Sequence, residues 1–172
     1  MICKLAQKHG GAPFAPHLTL PGGRSAPRQA LAGRAALFAA ALDPITQRPL
    51  PVDGEPSRFR CLYVRFAHSR ELDSLRCRAD SVMPPSDGAL LPHMSLHYGS
   101  LETAERLPLA RTIILRLPAA ITLDRPAVAD TSKAVEDWDE VAVLQLSSWS
   151  GRNRRYRHLS LSCSSRLSLP AP

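Results

Sequence analysis

Pro16-His17-Leu18-Thr19-Leu20 and Pro92-His93-Met94-Ser95-Leu96 share one pattern, proline, histidine, apolar residue, hydroxyl residue, leucine. On a β-strand successive side chains alternate between faces, so His17 and Thr19 point one way and Leu18 and Leu20 the other. The same division separates His93 and Ser95 from Met94 and Leu96. Each segment, read as a strand over about 15–20 or 92–98, offers an imidazole and a hydroxyl to one side and apolar surface to the opposite one. The question the sequence poses is whether the two histidines meet across one pocket.

The rest of the chain bounds the answer. Its 172 residues can bury a sizeable core in one domain. With 44% hydrophobic and 22% charged residues the composition is that of an ordinary globular protein. No apolar run approaches the length of a membrane span, and the first residues lack the pattern of a signal peptide, so a cytoplasmic location is expected. The four cysteines, Cys3, Cys61, Cys77 and Cys163, have no Cys-x-x-Cys spacing and read as reduced, buried thiols. The net charge of +7 is concentrated at one end. Five of the 22 basic residues (Arg152, Arg154, Arg155, Arg157 and Arg166) and none of the 15 acidic ones fall in 147–172, leaving 17 against 15 in 1–146. The body is nearly neutral, which argues against an RNA-binding cleft.

Periodicity and punctuation then place the elements. Ile2, Leu5 and Ala6 sit at helical spacing, and Gly10-Gly11 ends that helix. Ser25-Ala26-Pro27 opens a second helix over about 27–42, with Leu31, Ala35, Phe38 and Leu42 inward. A strand is expected over 47–53, limited by Pro49 and Pro51, and a stronger one over 58–66, where Phe59, Cys61, Tyr63 and Arg65 alternate with Arg60, Leu62, Val64 and Phe66. A helix over 71–82 buries Leu72, Leu75, Ala79 and Val82, and a loop over 83–91 leads to the second histidine strand. A short helix over 101–106 is expected to end near Pro108. Residues 109–117 read as helix and then strand, 119–129 as an extended pair broken at Pro126, and 140–146 as a strand. Residues 147–172, with eight serines and five arginines, read as a disordered tail. The fold class is α+β. One histidine motif falls in each of two blocks, a first lobe of about 1–66 and a second of about 67–146.

Two imidazoles and two hydroxyls in one cleft have a definite chemistry. Histidine, with an unperturbed pKa of about 6.5, lets one ring act as base while the other acts as acid at the same pH. Opening a phosphodiester needs that pairing, one group for the attacking oxygen and one for the leaving oxygen. Thr19 and Ser95 can hydrogen-bond the non-bridging oxygens as charge builds there. Neither motif contains a carboxylate to hold a metal, so no metal and no cofactor are expected.

His17-Leu18-Thr19-Leu20 and His93-Met94-Ser95-Leu96 resemble the paired His-x-Thr/Ser-x signatures of the 2H phosphoesterase superfamily, closest to its plant and fungal cyclic phosphodiesterases. Phe14-Ala15-Pro16 and Leu91-Pro92 lead into the motifs as in that branch, and Tyr98 follows the second. Arg60-Cys61-Leu62-Tyr63-Val64 resembles the strand between the motifs. The run from Asp130-Thr131 through Trp138 to Val141-Ala142-Val143 resembles the last hairpin. The likeness covers about 1–146. It implies a bilobal fold of two antiparallel sheets facing a central cleft, with helices outside. It also implies metal-independent opening of a small cyclic phosphate by catalytic His17 and His93, with Thr19 and Ser95 on the phosphate. ADP-ribose 1'',2''-cyclic phosphate, opened to ADP-ribose 1''-phosphate, would be the substrate, and nucleoside 2',3'-cyclic phosphates, opened to 2'-phosphates, the second; an RNA cyclic-phosphate end or a non-catalytic nucleotide-binding relative are the alternatives. A monomer is expected. The family has a strand before its first helix, and this sequence begins at that helix, so a shortened sequence with one exposed sheet edge is expected.

The remaining candidates are weaker. His97 shares the face of His93 and Ser95 and reads as a rim residue, since a third ligand for a metal is lacking. Tyr98 is a candidate for stacking on a base or ribose, or for closing the core. Trp138, in Glu136-Asp137-Trp138-Asp139, reads as a surface anchor, and His9, His68 and His158 as solvated.

Overall fold

The computed structural model describes residues 1–20, 27–40, 42–83 and 90–146. The tail over 147–172 lies outside them, as do the centre of the loop over 83–91 and the Ser25 cap. The elements follow in the order α1 (Ile2–His9), α2 (Arg28–Ala39), β1 (Ile45–Gln47), β2 (Pro49–Asp53), β3 (Leu62–Phe66), α3 (Arg70–Val82), β4 (His93–His97), α4 (Thr103–Ile114), β5 (Ile121–Leu123), β6 (Ala127–Asp130) and β7 (Asp139–Val143). The fold is α+β with antiparallel pairing, as expected, but the described residues form three sheets and not two.

The core forms where the apolar periodicity places it. Leu62, Val64 and Phe66 alternate onto one face of β3 and are at most 3% exposed, while Arg65 on the other face is exposed. Leu72, Leu75 and Ala79 of α3 and Phe38 of α2 pack on that face. Ser69 caps α3 by accepting from the Leu72 N–H at 3.2 Å, and Glu71 and Asp73 favour the positive end of the helix. Met94 and Leu96 of β4 complete the cluster, with Leu18 and Leu20 packed against it. Burial of this set at about 25 cal/mol per Å² is the main stabilising term.

Strand pairing runs across the division expected near residue 66. The central sheet has the order β2-β3-β4, so β4 of the second block hydrogen-bonds β3 of the first. Likewise β1 pairs with β5, while β6 and β7 form a hairpin. β2 is an edge strand, a place where prolines are tolerated, and its register shifts between Pro49 and Val52.

Four expectations are corrected. Residues 15–20 are not a strand; a single antiparallel bridge joins Leu18 to Met94. Pro13 and Pro16 have no N–H to give a ladder, which leaves the segment beside β4 but not fused to it. The strand expected over 47–53 is two strands in two sheets, separated at Arg48. The strand expected over 58–66 opens as a 3-10 turn, Arg58–Arg60, before β3 begins. The helix expected to stop near Pro108 runs through it as α4 to Ile114, and 115–117 form no strand. Pro108 removes one helical bond, to Ala104, early in an element already held by the burial of Arg106 and Ile113. The thiols also differ among themselves: Cys3 is exposed, Cys61 buried and Cys77 half-buried. Among the described residues no helix is long and apolar enough to cross a membrane.

Candidate functional site

The bridge between Leu18 and Met94 decides how the two motifs meet. Both bridge residues face the core. Their neighbours in sequence therefore share the opposite face. Because the bridge is antiparallel, an antiparallel register continued from it would set His17 towards Ser95 and Thr19 towards His93.

The two rings are held in the same way. His17 Nδ1 is 2.7 Å from the carbonyl oxygen of Ala15, and His93 Nδ1 is 2.8 Å from that of Leu91. A carbonyl oxygen can only accept, so each Nδ1 carries the proton and each Nε2 presents the lone pair, which on His17 is met by Tyr98. The intervening residues are Pro16 and Pro92, whose fixed φ turns the preceding carbonyl back towards the ring. The repeated proline of the two motifs is therefore part of the histidine's mounting.

The environments of the rings differ. His17 Nε2 accepts the phenolic O–H of Tyr98 at 3.2 Å. Around it lies an aromatic cluster: Phe14 and Trp138 approach His17 with centroids at 5.8 and 6.3 Å, and Phe14 stacks on Tyr98 at 4.0 Å. His93 is half-buried, edge-on to Tyr63 at 5.3 Å, and its register partner on β3 is Arg65. Arg65 is exposed and only loosely paired, 3.8 Å from Asp53, so it can lend positive charge to an anion at His93. Tyr63 is buried and donates its hydroxyl to Glu55 Oε1 at 3.1 Å; burial and that carboxylate push the phenol up. Sequence reading passed over Tyr63 and Arg65 as catalytic-face residues. The alternation of β3 could have found them, since Tyr63 and Arg65 share the face opposite Leu62 and Val64.

The hydroxyl residues are not equivalent. Thr19 is exposed and open to a ligand. Ser95 is 3% exposed and donates to the carbonyl of Phe59 at 3.0 Å, so binding phosphate requires it to exchange that acceptor.

Three further expectations change. Tyr98 is 6% exposed, with one face covered by Phe14, so it closes the site from within and does not offer that face to a base. Its burial raises the phenol, an effect opposed by the nearby Ser95 hydroxyl. Trp138, expected at the surface, packs edge-on to Tyr98 at 5.8 Å. His97, expected at the rim, is 1% exposed. Its Nε2 and that of His9 are buried without a hydrogen-bond partner, with the rings 6.2 Å apart. Burial, and secondarily His9, push His97 down and keep it neutral. Alternation alone did not reveal this, because α1 and the Gly11 and Gly99 backbones cover the ring; a Cβ at Gly99 would sit 2.8 Å from its Nε2.

Tyr98→Phe separates the phenol from the ring. The stacking on Phe14 survives and the hydrogen bond to His17 is lost, about 1 kcal/mol. The expected result is a fall in kcat of roughly threefold to tenfold at unchanged KM. An unchanged kcat would show that Tyr98 serves packing alone.

Among the described residues no group of three or more His, Cys, Asp or Glu side chains could hold a metal ion. A cavity of about 480 Å³ opens beside Tyr98, Arg58 and Arg106, and neither His17 nor His93 lines it. No protein-family model matches the chain, and no curated protein is significantly similar to it.

Proposed function

We propose that the protein opens a small cyclic phosphodiester by acid–base catalysis, with His17 and His93 as the two proton-transfer groups. The observation that carries this is the matched mounting of the rings: both Nδ1 atoms bonded to the carbonyl two residues back, on adjacent antiparallel segments. In the reaction one Nε2 takes a proton from water as its oxygen bonds to phosphorus. The other imidazole, protonated, gives its proton to the ring oxygen that leaves. Neither transfer calls on a metal. Thr19, Ser95 and Arg65 are the groups for the non-bridging oxygens. The resemblance of the two motifs to the 2H phosphoesterases supports the same reading, with ADP-ribose 1'',2''-cyclic phosphate as substrate and nucleoside 2',3'-cyclic phosphates second, acting as a cytoplasmic monomer in two lobes.

The test is direct. Purified protein is expected to convert ADP-ribose 1'',2''-cyclic phosphate to the 1''-phosphate and 2',3'-cyclic AMP to the 2'-phosphate, at rates unchanged by EDTA. A cyclic-ended oligonucleotide is expected to react more slowly, given a body with 17 basic and 15 acidic groups over 1–146. Activity abolished by chelator and restored by zinc would sink the two-histidine mechanism.

A further inference from the structure

The buried guanidinium of Arg106 has no part in the chemistry just described. Arg106 lies in the first turns of α4 and is 9% exposed. Among the described residues no carboxylate pairs with it. Its nitrogens reach only two neutral acceptors, the Leu101 carbonyl at 3.4 Å and the Thr103 hydroxyl at 3.2 Å. A guanidinium carries five N–H donors, and a buried charge without a counter-ion is costly. The close approach is built in: Gly54 has no side chain where a Cβ would strike the Arg106 stem and the Cys61 carbonyl.

Arg106 lines the cavity of about 480 Å³, together with Thr103, Tyr98 and Arg58. Two carboxylates also line the cavity, and both are engaged. Glu55 accepts from Tyr63 and pairs with Arg60 at 2.9 Å, and Glu102 caps α4 but keeps its negative charge, against the two positive charges of Arg58 and Arg106. Arg58 makes no ion pair among the described residues. The uncompensated charge of the cavity is positive.

We infer that this cavity is a second anion site, in which Arg106 and Arg58 bind a phosphate or pyrophosphate group. Tyr98 connects it to the first site: the residue lines the cavity and its hydroxyl bonds His17. A ligand with a cyclic phosphate at one end and a pyrophosphate further along would occupy both. That second step rests on the proposed function; the anion site itself does not.

The test titrates inorganic phosphate and pyrophosphate into the whole protein by calorimetry, using wild type, Arg58→Ala, Arg106→Met and His17→Ala. Pyrophosphate is expected to bind wild type and His17→Ala alike. Each arginine variant should weaken it by roughly tenfold or more, the loss of a charge-assisted hydrogen bond. Arg58 is exposed, so its variant remains informative if Arg106→Met fails to fold. No binding to wild type, or equal binding to Arg58→Ala and a folded Arg106→Met, overturns the site and leaves the histidine chemistry standing. Binding without any turnover of cyclic phosphates overturns the chemistry and leaves the site. For the link between them, Arg58→Ala is expected to raise KM for ADP-ribose 1'',2''-cyclic phosphate and not for 2',3'-cyclic AMP. Equal effects on the two substrates overturn the link.

Discussion

Alanine at His93 is expected to lower kcat on a small cyclic phosphate by roughly 10²–10⁴, and alanine at His17 by a similar factor. Each substitution removes one Nε2 and one hydrogen bond from Nδ1 to a carbonyl, and His17→Ala also removes the bond from Tyr98. Neither ring belongs to the packed apolar cluster, so the structural cost is about 1 kcal/mol per lost bond, one at His93 and two at His17. Circular dichroism and the midpoint of thermal unfolding should therefore stay close to wild type while turnover collapses. If base and acid act in one step, the double variant should be little worse than either single one, because removing one partner already disables the pair. The pH profile of kcat/KM adds a separate readout. Wild type should give a bell, one limb for the base and one for the acid, and each single variant should lose a limb. A His17 or His93 variant that keeps most of its turnover and both limbs removes that ring from the mechanism.

How the two rings came to be legible in sequence is a matter of local repetition. Pro-His-x-hydroxyl-Leu occurs twice, and alternation assigned the histidine and hydroxyl to one face. Both copies do present Leu18, Leu20, Met94 and Leu96 to the core. The helices were legible for the same reason: Leu72, Leu75 and Ala79 recur at helical spacing and are buried on one stripe. Pairing was not. Nothing local in 45–53 says that Ile45–Gln47 joins β5 while Pro49–Asp53 joins β3, since the partners lie far apart in the chain. Proline was read too uniformly. Pro108 does not end the helix, which other contacts sustain, while Pro16 falls inside the 15–20 segment that forms no strand. Burial by a neighbouring element was the other blind spot. His97 alternates with the polar face of β4, yet α1 covers it, and Trp138 sits among acidic residues yet packs towards His17. The cavity at Arg106 belongs to the same class, being assembled from segments around 11, 55, 100 and 135.

Leu62→Ala tests the support beneath the site. Leu62 is fully buried in β3, the central strand of the three-stranded sheet, and belongs to the apolar cluster with Leu72, Phe38 and Leu96. Truncation removes three carbons and leaves a cavity that strands paired on both sides cannot readily collapse. The expected loss is about 3–4 kcal/mol, a large share of the roughly 5–15 kcal/mol that holds a domain together. Leu115→Ala, at a residue 86% exposed, should change stability by no more than about 0.5 kcal/mol and serves as the control. Urea unfolding reads both, as a lowered midpoint at constant slope. The effect should reach the site, because β3 sets the register of β4: Tyr63 lies opposite Ser95, and Arg65 opposite His93. Activity of Leu62→Ala should then fall earlier on warming than that of wild type, yet at low temperature, where the chain is still folded, kcat should stay within a few-fold. A Leu62 variant as stable as the Leu115 control would mean that β3 is not the buried centre of the sheet, and the alignment of the two histidine segments built on it would go too.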